Sequence, residues 1–353
     1  MAIKTTCIGA YPKPDYVPII DWFQQKEGLT IAGADVTRKA NKVLLEEDAA
    51  SEALFVKATG AAVADQVEAG VDIPTDGEQR RENYIHYHCR HLNGFDFENL
   101  TRKVLRDGAY AAELPTINGR ISPRGNHFLD RDYKIAAGFT DRPVKITIPG
   151  PTTIMDTTAN AFYEDEKQLA LDLAEALNFE IRALAEAGCR HIQVDEPVFA
   201  RNVARALDYG VECLDRCFHG VDDGVTRVMH MCCGYPEKLD DEDYQKADPL
   251  GYFQLADAVD QSSIQQVSLE DAHRHNDLSL LEKFGNTTVI FGAVAIADSR
   301  TESVEEIRER LTKALGHIEK ERLMAAPDCG LAMLGRELAM KKLGNLCKAA
   351  AIV

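Results

Sequence analysis

The stretch Val144-Lys-Ile-Thr-Ile-Pro-Gly-Pro151 is a short run of apolar and β-branched residues that ends in glycine and proline. A charged segment follows at residues 165–187, and a second apolar run then reads His191-Ile-Gln-Val-Asp-Glu-Pro197. Leucines such as Leu173 and Leu177 recur at helical spacing in the segment between the two runs. This order favours a β–α–β unit with parallel strands.

The same pattern recurs along the whole chain. Short β-rich runs alternate with amphipathic, charged segments, which predicts an α/β fold whose strand–helix units close into a (β/α)8 TIM barrel. An active site would then lie at the carboxyl ends of the strands. The eight runs are Thr5–Tyr11, Val71–Glu78, Val144–Pro151, His191–Pro197, Arg227–Gly234, Gln265–Asp271, Thr288–Ile296 and Leu323–Gly330.

One connection is much longer than the others. Between Gln79 and Arg142 there is more chain than a single helix requires, including the glycine- and proline-containing stretch Pro115–Gly125. We interpret residues 79–142 as an insertion after the second strand that covers the C-terminal face of the barrel. Residues 1–353 then form one domain, since α/β barrels of this length are routinely single domains.

The composition argues against several kinds of partner. The 353 residues carry a formal net charge of −17, so nucleic acid and anionic membrane surfaces would be repelled. No apolar run approaches the roughly 18 residues that span a bilayer. The cysteines are odd in number and irregularly spaced, and no secretory leader is evident before Thr5, which together favour a reduced cytoplasm.

Two predicted strand ends carry soft metal ligands. The fifth run ends Val228-Met-His-Met-Cys-Cys-Gly234, and the eighth ends Pro327-Asp-Cys-Gly330. Because side chains alternate along a strand, His230 and Cys232 share one face and Cys233 points to the other. Cys233 is therefore the less favoured ligand of the two adjacent cysteines.

His230, Cys232 and Cys329 are the three candidate ligands. An imidazole combined with thiolates suits zinc, whereas free cysteines are also commonly small buried hydrophobes. These residues alone leave both interpretations open. Polar residues at other strand ends are harder to explain by helix capping alone, because they would converge on one rim. They include Asp76-Gly77-Glu78, Asp195-Glu196 and Glu270-Asp271.

These strand ends resemble the catalytic, C-terminal barrel of cobalamin-independent methionine synthases and their single-barrel relatives. The matching stretches occur in the family's order and cover essentially the whole chain. They are Ile8-Gly9, Asp76-Gly77-Glu78, His91-Leu-Asn-Gly-Phe95, Pro149-Gly-Pro-Thr-Thr-Ile154, Gln193-Val-Asp-Glu-Pro197, His230-Met-Cys232, Ser268-Leu-Glu270 and Pro327-Asp-Cys-Gly-Leu331. The resemblance implies that zinc is the cofactor and that Glu270 is its fourth ligand.

The resemblance also implies a zinc-dependent thiol alkyltransferase, with homocysteine as the first candidate thiol and methionine as its product. If the thiol displaces the hard carboxylate of Glu270, a zinc ion holds three sulfurs and one nitrogen, and the thiol is ionised at neutral pH. The residues that match the family's homocysteine site are Ile8, Gly9, Glu78 and Asp195. Two carboxylates around an ammonium group are sound chemistry, because a buried cation must be paired.

Four departures from the family concern the substrates. Ala10 replaces a serine that helps to hold homocysteine. Thr157 replaces a tryptophan against which folate packs, and Ala297 replaces a histidine proposed to protonate the departing folate. The chain also lacks a counterpart of the N-terminal barrel of full-length methionine synthases. We therefore predict a methyl donor other than methylfolate, with methylcobalamin, free or on a corrinoid protein, as the leading candidate.

Three alternatives remain open. A zinc thiolate could open an epoxide, as in the single-barrel epoxyalkane:coenzyme M transferases, with Arg80 and Arg81 facing the sulfonate. If they do not bind an anion, these arginines belong to a solvated loop. The second alternative is a methyltetrahydrofolate:homocysteine methyltransferase, and the third is a non-catalytic corrinoid- or zinc-binding partner protein.

Overall fold

Parallel strands form the central sheet of the computed structural model, which describes residues 2–21, 34–46, 48–105, 110–234, 238–241 and 244–353. Each strand of this sheet overlaps one of the predicted runs. In order across the sheet, and numbered along the chain, they are β1 (Lys4–Thr5), β10 (Leu323–Pro327), β9 (Thr288–Val294), β8 (Gln266–Leu269), β7 (Thr226–Met231), β6 (His191–Asp195) and β4 (Lys145–Pro149).

The predicted α/β fold is confirmed, with a curled parallel sheet, but a complete (β/α)8 barrel is not. The reason is that the second predicted strand, Val71–Glu78, does not form a strand. It makes isolated parallel bridges to both edges of the sheet, Thr6 with Ile73 and Thr75 with Lys145. Both edges therefore approach the same short segment.

The physical reason is that side chains take the hydrogen bonds that a strand ladder would use. Pro74 has no N–H to donate. The N–H of Thr75 donates instead to Gln66 Oε1 at 2.9 Å. On the neighbouring strand, the N–H of Thr5 donates to the carboxylate of Asp72 at 2.8 Å.

Helices connect the strands and surround the sheet. The leucines that predicted an amphipathic helix at 165–187 lie in α6, where Leu173 and Leu177 are buried in the core. Asp165 begins this helix by accepting a hydrogen bond from the N–H of Lys167 at 2.9 Å. The helices are α1 (Ala34–Glu46), α2 (Ala49–Ala69), α3 (Tyr84–Cys89), α4 (Leu129–Ala137), α5 (Pro151–Asp156), α6 (Glu166–Glu186), α7 (Val203–Arg205), α8 (Val211–Cys217), α9 (Leu250–Asp260), α10 (Val304–Ala314) and α11 (Arg336–Ala351).

The segment interpreted as an insertion contains α3, α4 and an antiparallel hairpin. The hairpin strands are β2 (Leu92–Leu105) and β3 (Tyr110–Pro123), and β3 also pairs in parallel with the short strand β5 (Ala159–Asn160). Lys103 of the hairpin donates to the carbonyls of Asp156 and Thr158 at 3.0 and 3.1 Å. The hairpin is thereby fixed to the chain that follows β4.

A small apolar cluster lies beneath the carboxyl ends of the strands. It is separate from the main core, and its members come from several strands of the curled sheet. Val228 belongs to it, and His230 follows two residues later on the same face of β7. The cluster consists of Ile8, Ile73, Val228, Ile290, Met324 and Ala326.

Within the described residues, no helix is both long and apolar enough to cross a membrane.

Candidate active site

The parallel register sets three polar side chains side by side at the carboxyl end of the sheet. Asp195 of β6 pairs with His230 of β7, and His230 pairs with Ser268 of β8. Paired residues of neighbouring strands present their side chains to the same face. The row therefore places an imidazole between a carboxylate and a hydroxyl.

The side chains of His230, Cys232 and Cys329 form one cluster. One ligand atom from each residue lies within 4.8 Å of the others, and the Sγ of Cys329 is 3.5 Å from Nε2 of His230. Ser268 Oγ lies 3.1 Å from Nδ1 of His230, so that Nε2 is left to face the sulfurs. Burial lowers the pKa of His230 to about 3, which keeps the imidazole neutral, as a metal ligand must be.

Glu270 lies directly beside this cluster. Its Oε1 accepts a hydrogen bond from Cys232 Sγ at 2.7 Å and another from the N–H of Cys233 at 3.1 Å. Its Oε2 is buried and has no hydrogen-bond partner among the described residues. Burial, and then the charge of Cys232, raises the pKa of Glu270 well above its usual range. A metal ion among these groups would reverse that penalty, so the donor set fits zinc.

Asp328 fixes two of the candidate ligands relative to each other. Its carboxylate accepts hydrogen bonds from the N–H groups of residues 271–273, at 2.9, 2.9 and 2.7 Å. Burial raises the pKa of Asp328 to about 6, although the N–H groups lower it. Since Cys329 follows Asp328 and Glu270 precedes the bonded loop, these bonds set the spacing between the ends of β8 and β10.

Cys233 has a different environment from Cys232. Its sulfur belongs to the main apolar core and accepts a hydrogen bond from Nη2 of Arg274 at 3.5 Å. Burial raises the pKa of Cys233 to about 12. These contacts agree with the strand alternation that made Cys233 the less favoured ligand.

The acidic pair lies on the same rim. Glu78 and Asp195 are both buried, and burial raises the pKa of each; the charge of Glu78 raises that of Asp195 further. Glu78 Oε1 accepts a hydrogen bond from Thr147 Oγ1 at 2.7 Å. A Cβ on Gly9 would lie 2.4 Å from Glu78 Oε1, so this carboxylate position requires glycine there. When two carboxylates are buried and the charge of one raises the pKa of the other, a cationic ligand is favoured.

Ile8 joins the acidic pair through its backbone. Its carbonyl accepts a hydrogen bond from Gln193 Nε2 at 2.6 Å, and the same amide donates to Asp195 Oδ1 at 2.7 Å. Ala10 has no hydroxyl to contribute and packs tightly, since a Cβ on Gly330 would lie 3.0 Å from its own. The four predicted substrate residues thus lie in the chain just after β1, at the end of β6 and at the end of the segment that bridges the two edges of the sheet.

Tyr84 is a site residue that sequence reasoning missed. It begins α3, where Asn83 accepts hydrogen bonds from the N–H groups of the first turn. Burial, followed by the charges of Asp195 and Cys329 and then Glu78, raises the pKa of the Tyr84 hydroxyl well above its usual range. The phenol is therefore within range of the charges of both the metal cluster and the acidic pair. Its only sequence signal is the Asn83 cap.

Arg80 and Arg81 are buried side chains, so the prediction of a solvated loop is wrong. Arg80 makes two hydrogen bonds of 2.6 and 2.7 Å to the carboxylate of Glu52. Arg81 donates to the carbonyl of Thr147 at 2.8 Å and to Asp76 Oδ2 at 2.9 Å. Both guanidinium groups are committed to ion pairs inside the fold, which removes the support for a sulfonate site here.

We call the ends of β4 and β9, with Thr157 and Ala297, the donor side. Thr157 donates through Oγ1 to the carbonyl of Thr153 at 2.7 Å, and its own carbonyl lies 3.3 Å from His86 Nε2. His273 Nε2 accepts hydrogen bonds from the N–H groups of residues 296 and 297, at 3.0 and 3.1 Å. An imidazole therefore lies near Ala297, but this nitrogen is an acceptor and carries no proton to donate.

A cavity of about 510 Å³ opens between Ala297 and the loop after β7. Its lining includes Tyr244 and Lys246 from the chain after β7, and Arg310 and Lys313 of α10. Arg310 is held by Asp271 at 2.6 and 2.8 Å.

Comparison with known proteins identifies the family. Residues 3–352 match the family model described as the cobalamin-independent synthase catalytic domain. A methionine synthase of Sulfolobus acidocaldarius is 31% identical over 353 residues, which cover 99% of this chain and 92% of that protein. A methionine synthase of Thermococcus kodakarensis is 31% identical over 352 residues, which cover 99% of this chain and 93% of that protein. The chain belongs to the cobalamin-independent methionine synthase family, and the resemblance is confirmed.

Solved structures agree with this assignment. The structure of a B12-independent methionine synthase from Shewanella sp. W3-18-1 in complex with selenomethionine is similar, with a TM-score of 0.83 and 28% identity over 100% of this chain and 98% of that one. A putative vitamin-B12 independent methionine synthase from Listeria monocytogenes, at 19% identity and a TM-score of 0.67, covers 96% of this chain and 98% of its own. The latter shows likeness of fold only.

Proposed function

We propose that the protein is a zinc-dependent methyltransferase that methylates the thiol of homocysteine to give methionine. The observation that carries this proposal is the His230, Cys232 and Cys329 cluster, with Glu270 beside it and the acidic pair on the same rim. A catalytic centre explains this arrangement better than a partner protein does, because one rim holds both a metal donor set and groups for an amino acid.

The metal centre is the proposed site of thiol activation. When bound there, zinc would ionise the thiol at neutral pH and leave the sulfur nucleophilic. His230, Cys232 and Cys329 are the permanent ligands in this proposal, since zinc favours thiolate and imidazole donors. Glu270 is the exchangeable ligand. Asp328 contributes by holding the Glu270 and Cys329 strand ends in register.

The acidic pair is the proposed site for the amino acid. Glu78 and Asp195 would receive the ammonium group of homocysteine, and Ile8 and Gly9 would form the adjoining wall. The cation would offset both the burial and the repulsion from Glu78 that raise the pKa of Asp195. The Shewanella relative, which was solved with selenomethionine, supports an amino-acid product of this shape. Tyr84 would close the site from the insertion, so that residues 79–142 cover part of the rim.

The proposed methyl donor is not methylfolate. At the position of the family's tryptophan, the Thr157 hydroxyl is bonded within its own helix end, and α3 lies against its carbonyl. Among the described residues, no indole lies there for a pterin to pack on. Ala297 carries no acid, and the nearby His273 uses Nε2 as an acceptor. A donor whose leaving group departs without a proton, such as methylcobalamin, fits these replacements.

The relatives are described as cobalamin-independent, so the corrinoid donor depends on the replacements in this chain alone. The second candidate reaction, addition of a zinc thiolate to an epoxide, has lost the anion site that favoured it, since Arg80 and Arg81 are engaged in internal ion pairs. The retained acidic pair also favours a thiol that bears an ammonium group.

One experiment separates these reactions. The zinc-loaded protein is incubated with homocysteine or coenzyme M, each against methylcobalamin, methyltetrahydrofolate and a short epoxide, and thiol consumption is followed. We expect turnover with homocysteine and methylcobalamin. Turnover only with coenzyme M and the epoxide would replace the proposed function, and zinc binding without thiol consumption by any electrophile would favour a partner protein.

A further inference from the structure

The charged neighbour of Glu270 on the side away from the sulfurs is Lys246. Its Nζ lies 3.5 Å from Glu270 Oε2. Neither atom has a hydrogen-bond partner among the described residues, and both are buried. The ammonium group also lies 4.8 Å from the centre of the Tyr244 ring, which stabilises a cation. The carboxylate of Glu270 thus spans from Cys232 on one side to Lys246 on the other.

Backbone contacts hold Lys246 in this place. The N–H of Ala247 donates to the carbonyl of Cys233 at 2.7 Å, and Arg274 donates to the carbonyl of Ala247 at 2.7 Å. A Cβ on Gly234 would lie 2.8 Å from the carbonyl oxygen of Gln245, so the close approach of the loop to β7 depends on glycine. The loop that carries Lys246 is therefore held against the end of β7, the strand end that also carries candidate metal ligands.

We propose that Lys246 is a positioning residue that receives the Glu270 carboxylate when the thiol substrate takes its place at the metal. This inference rests on the proposed function. In the exchange, the thiol sulfur would supply an electron pair to a metal ion held by His230, Cys232 and Cys329, the Glu270 oxygen would withdraw with its own pair, and the thiol proton would pass to water. No net oxidation or reduction occurs.

The physical reason is the environment of the displaced group. A carboxylate that leaves a metal ion inside the fold is costly unless another cation pairs with it. Lys246 needs only a small movement of the Glu270 side chain to form that pair, because the two charged groups are already 3.5 Å apart. The lysine therefore stabilises the thiol-bound state, and it weakens the hold of Glu270 on the metal in the resting state.

The test compares Lys246→Met with Lys246→Arg in the full, zinc-loaded chain. Zinc content, the homocysteine dissociation constant and the number of sulfur neighbours of zinc by X-ray absorption are measured. We expect all forms to hold one zinc. The Met variant should bind homocysteine about tenfold more weakly or worse, because an uncompensated buried charge is left behind, and it should fail to gain a sulfur neighbour at concentrations that saturate the parent. The Arg variant should recover most of the affinity.

A second pair of variants shows whether the lysine acts through Glu270. In a Glu270→Ala background no carboxylate is displaced, so Lys246→Met should no longer weaken homocysteine binding. An equal loss in both backgrounds overturns the inference, as does loss of zinc from the Met variant or an unchanged affinity in the parent background. If the parent itself gains no sulfur neighbour with homocysteine, the proposed function fails as well, which separates the two failures.

Discussion

We call the candidate metal ligands and the acidic pair the acceptor side of the rim. The acceptor side carries more of the groups that its proposed substrate would need than the donor side does. On the acceptor side, the four candidate metal ligands lie at the ends of β7, β8 and β10, and the acidic pair adjoins them. On the donor side, Thr157 and Ala297 offer neither an aromatic face nor an acid. Under the proposed function, the groups that activate and bind the thiol are retained, whereas those that would bind a folate electrophile are replaced. A homologous fold can fix one substrate without fixing the other.

The largest effect is expected on the acceptor side. Cys232→Ser or Cys329→Ser should reduce zinc from one per chain to nearly none, because each removes a soft ligand from a small donor set. Cys233→Ser is the matched control and should keep its zinc, since its sulfur lies in the core beside Arg274. Metal content by plasma emission spectrometry decides this. Full occupancy in Cys329→Ser, or loss in Cys233→Ser alone, would show that the ligand set is misassigned.

The next effect concerns the donor side. Methionine formation from methyltetrahydrofolate, including its polyglutamyl form, should be slower than from methylcobalamin by about 10²-fold or more, because general acid catalysis alone is worth about 10²–10⁴-fold. Loss of the aromatic stack adds about 0.5–1.5 kcal/mol. Rates are compared at matched donor concentrations. Robust turnover with folate would mean that the acceptor and donor sides are equally complete and that the comparison is wrong.

A smaller effect should follow from weakening the acidic pair. Asp195→Asn removes a charge-assisted contact from a desolvated site, which typically costs about 2–5 kcal/mol, so the homocysteine dissociation constant should rise roughly tenfold or more. Asp223→Asn is a suitable control because its side chain is exposed. Zinc content should stay constant in both. An enzyme indifferent to Asp195, or one that prefers coenzyme M, would direct attention to the epoxide reaction.

The cluster of His230, Cys232 and Cys329 was predictable because it depends on short-range rules, whereas Glu270 and the acidic pair were predicted from the family resemblance. Alternation along one strand placed His230 with Cys232 and separated Cys233, and parallel strands brought Cys329 to the same edge. The incomplete second strand was not predictable by those rules. The N–H of Thr75 in this segment donates to Gln66, and Asp72 of the segment accepts from the N–H of Thr5 on the neighbouring strand; only the folded chain shows these side-chain hydrogen bonds in place of a strand ladder.

Residues that reach the site from loops were also beyond the sequence patterns. Tyr84 of α3 is within range of the charges of the metal cluster and of the acidic pair. Lys246 reaches Glu270 from a loop whose close approach to β7 requires Gly234. Arg80 and Arg81 show the opposite error, since adjacent arginines in a long connection favoured a surface or an anion site. Their partners, Glu52 and Asp76, are set by tertiary packing rather than by local spacing.

The smallest expected effect lies where the two sides meet, at His86 of α3. Burial lowers the pKa of this imidazole to about 3, and its Nε2 lies 3.3 Å from the carbonyl of Thr157. In the unfolded chain the pKa of histidine is about 6.5. Between these values the unfolded state binds a proton that the folded state does not, so the free energy of unfolding falls as the pH is lowered from about 6.5 towards 3.

Replacing His86 by Gln removes that titration while keeping a donor for the Thr157 carbonyl. Below pH 6.5, the slope of unfolding free energy against pH should decrease by at most about 1.4 kcal/mol per pH unit, which is the linkage of one group. Urea unfolding at several pH values measures the slope, with His219→Gln at an exposed position as the control. Equal slopes in the parent and His86→Gln would mean that the imidazole is hydrated or protonated in the folded chain. In that case α3 would not exclude water from the region between the acceptor and donor sides.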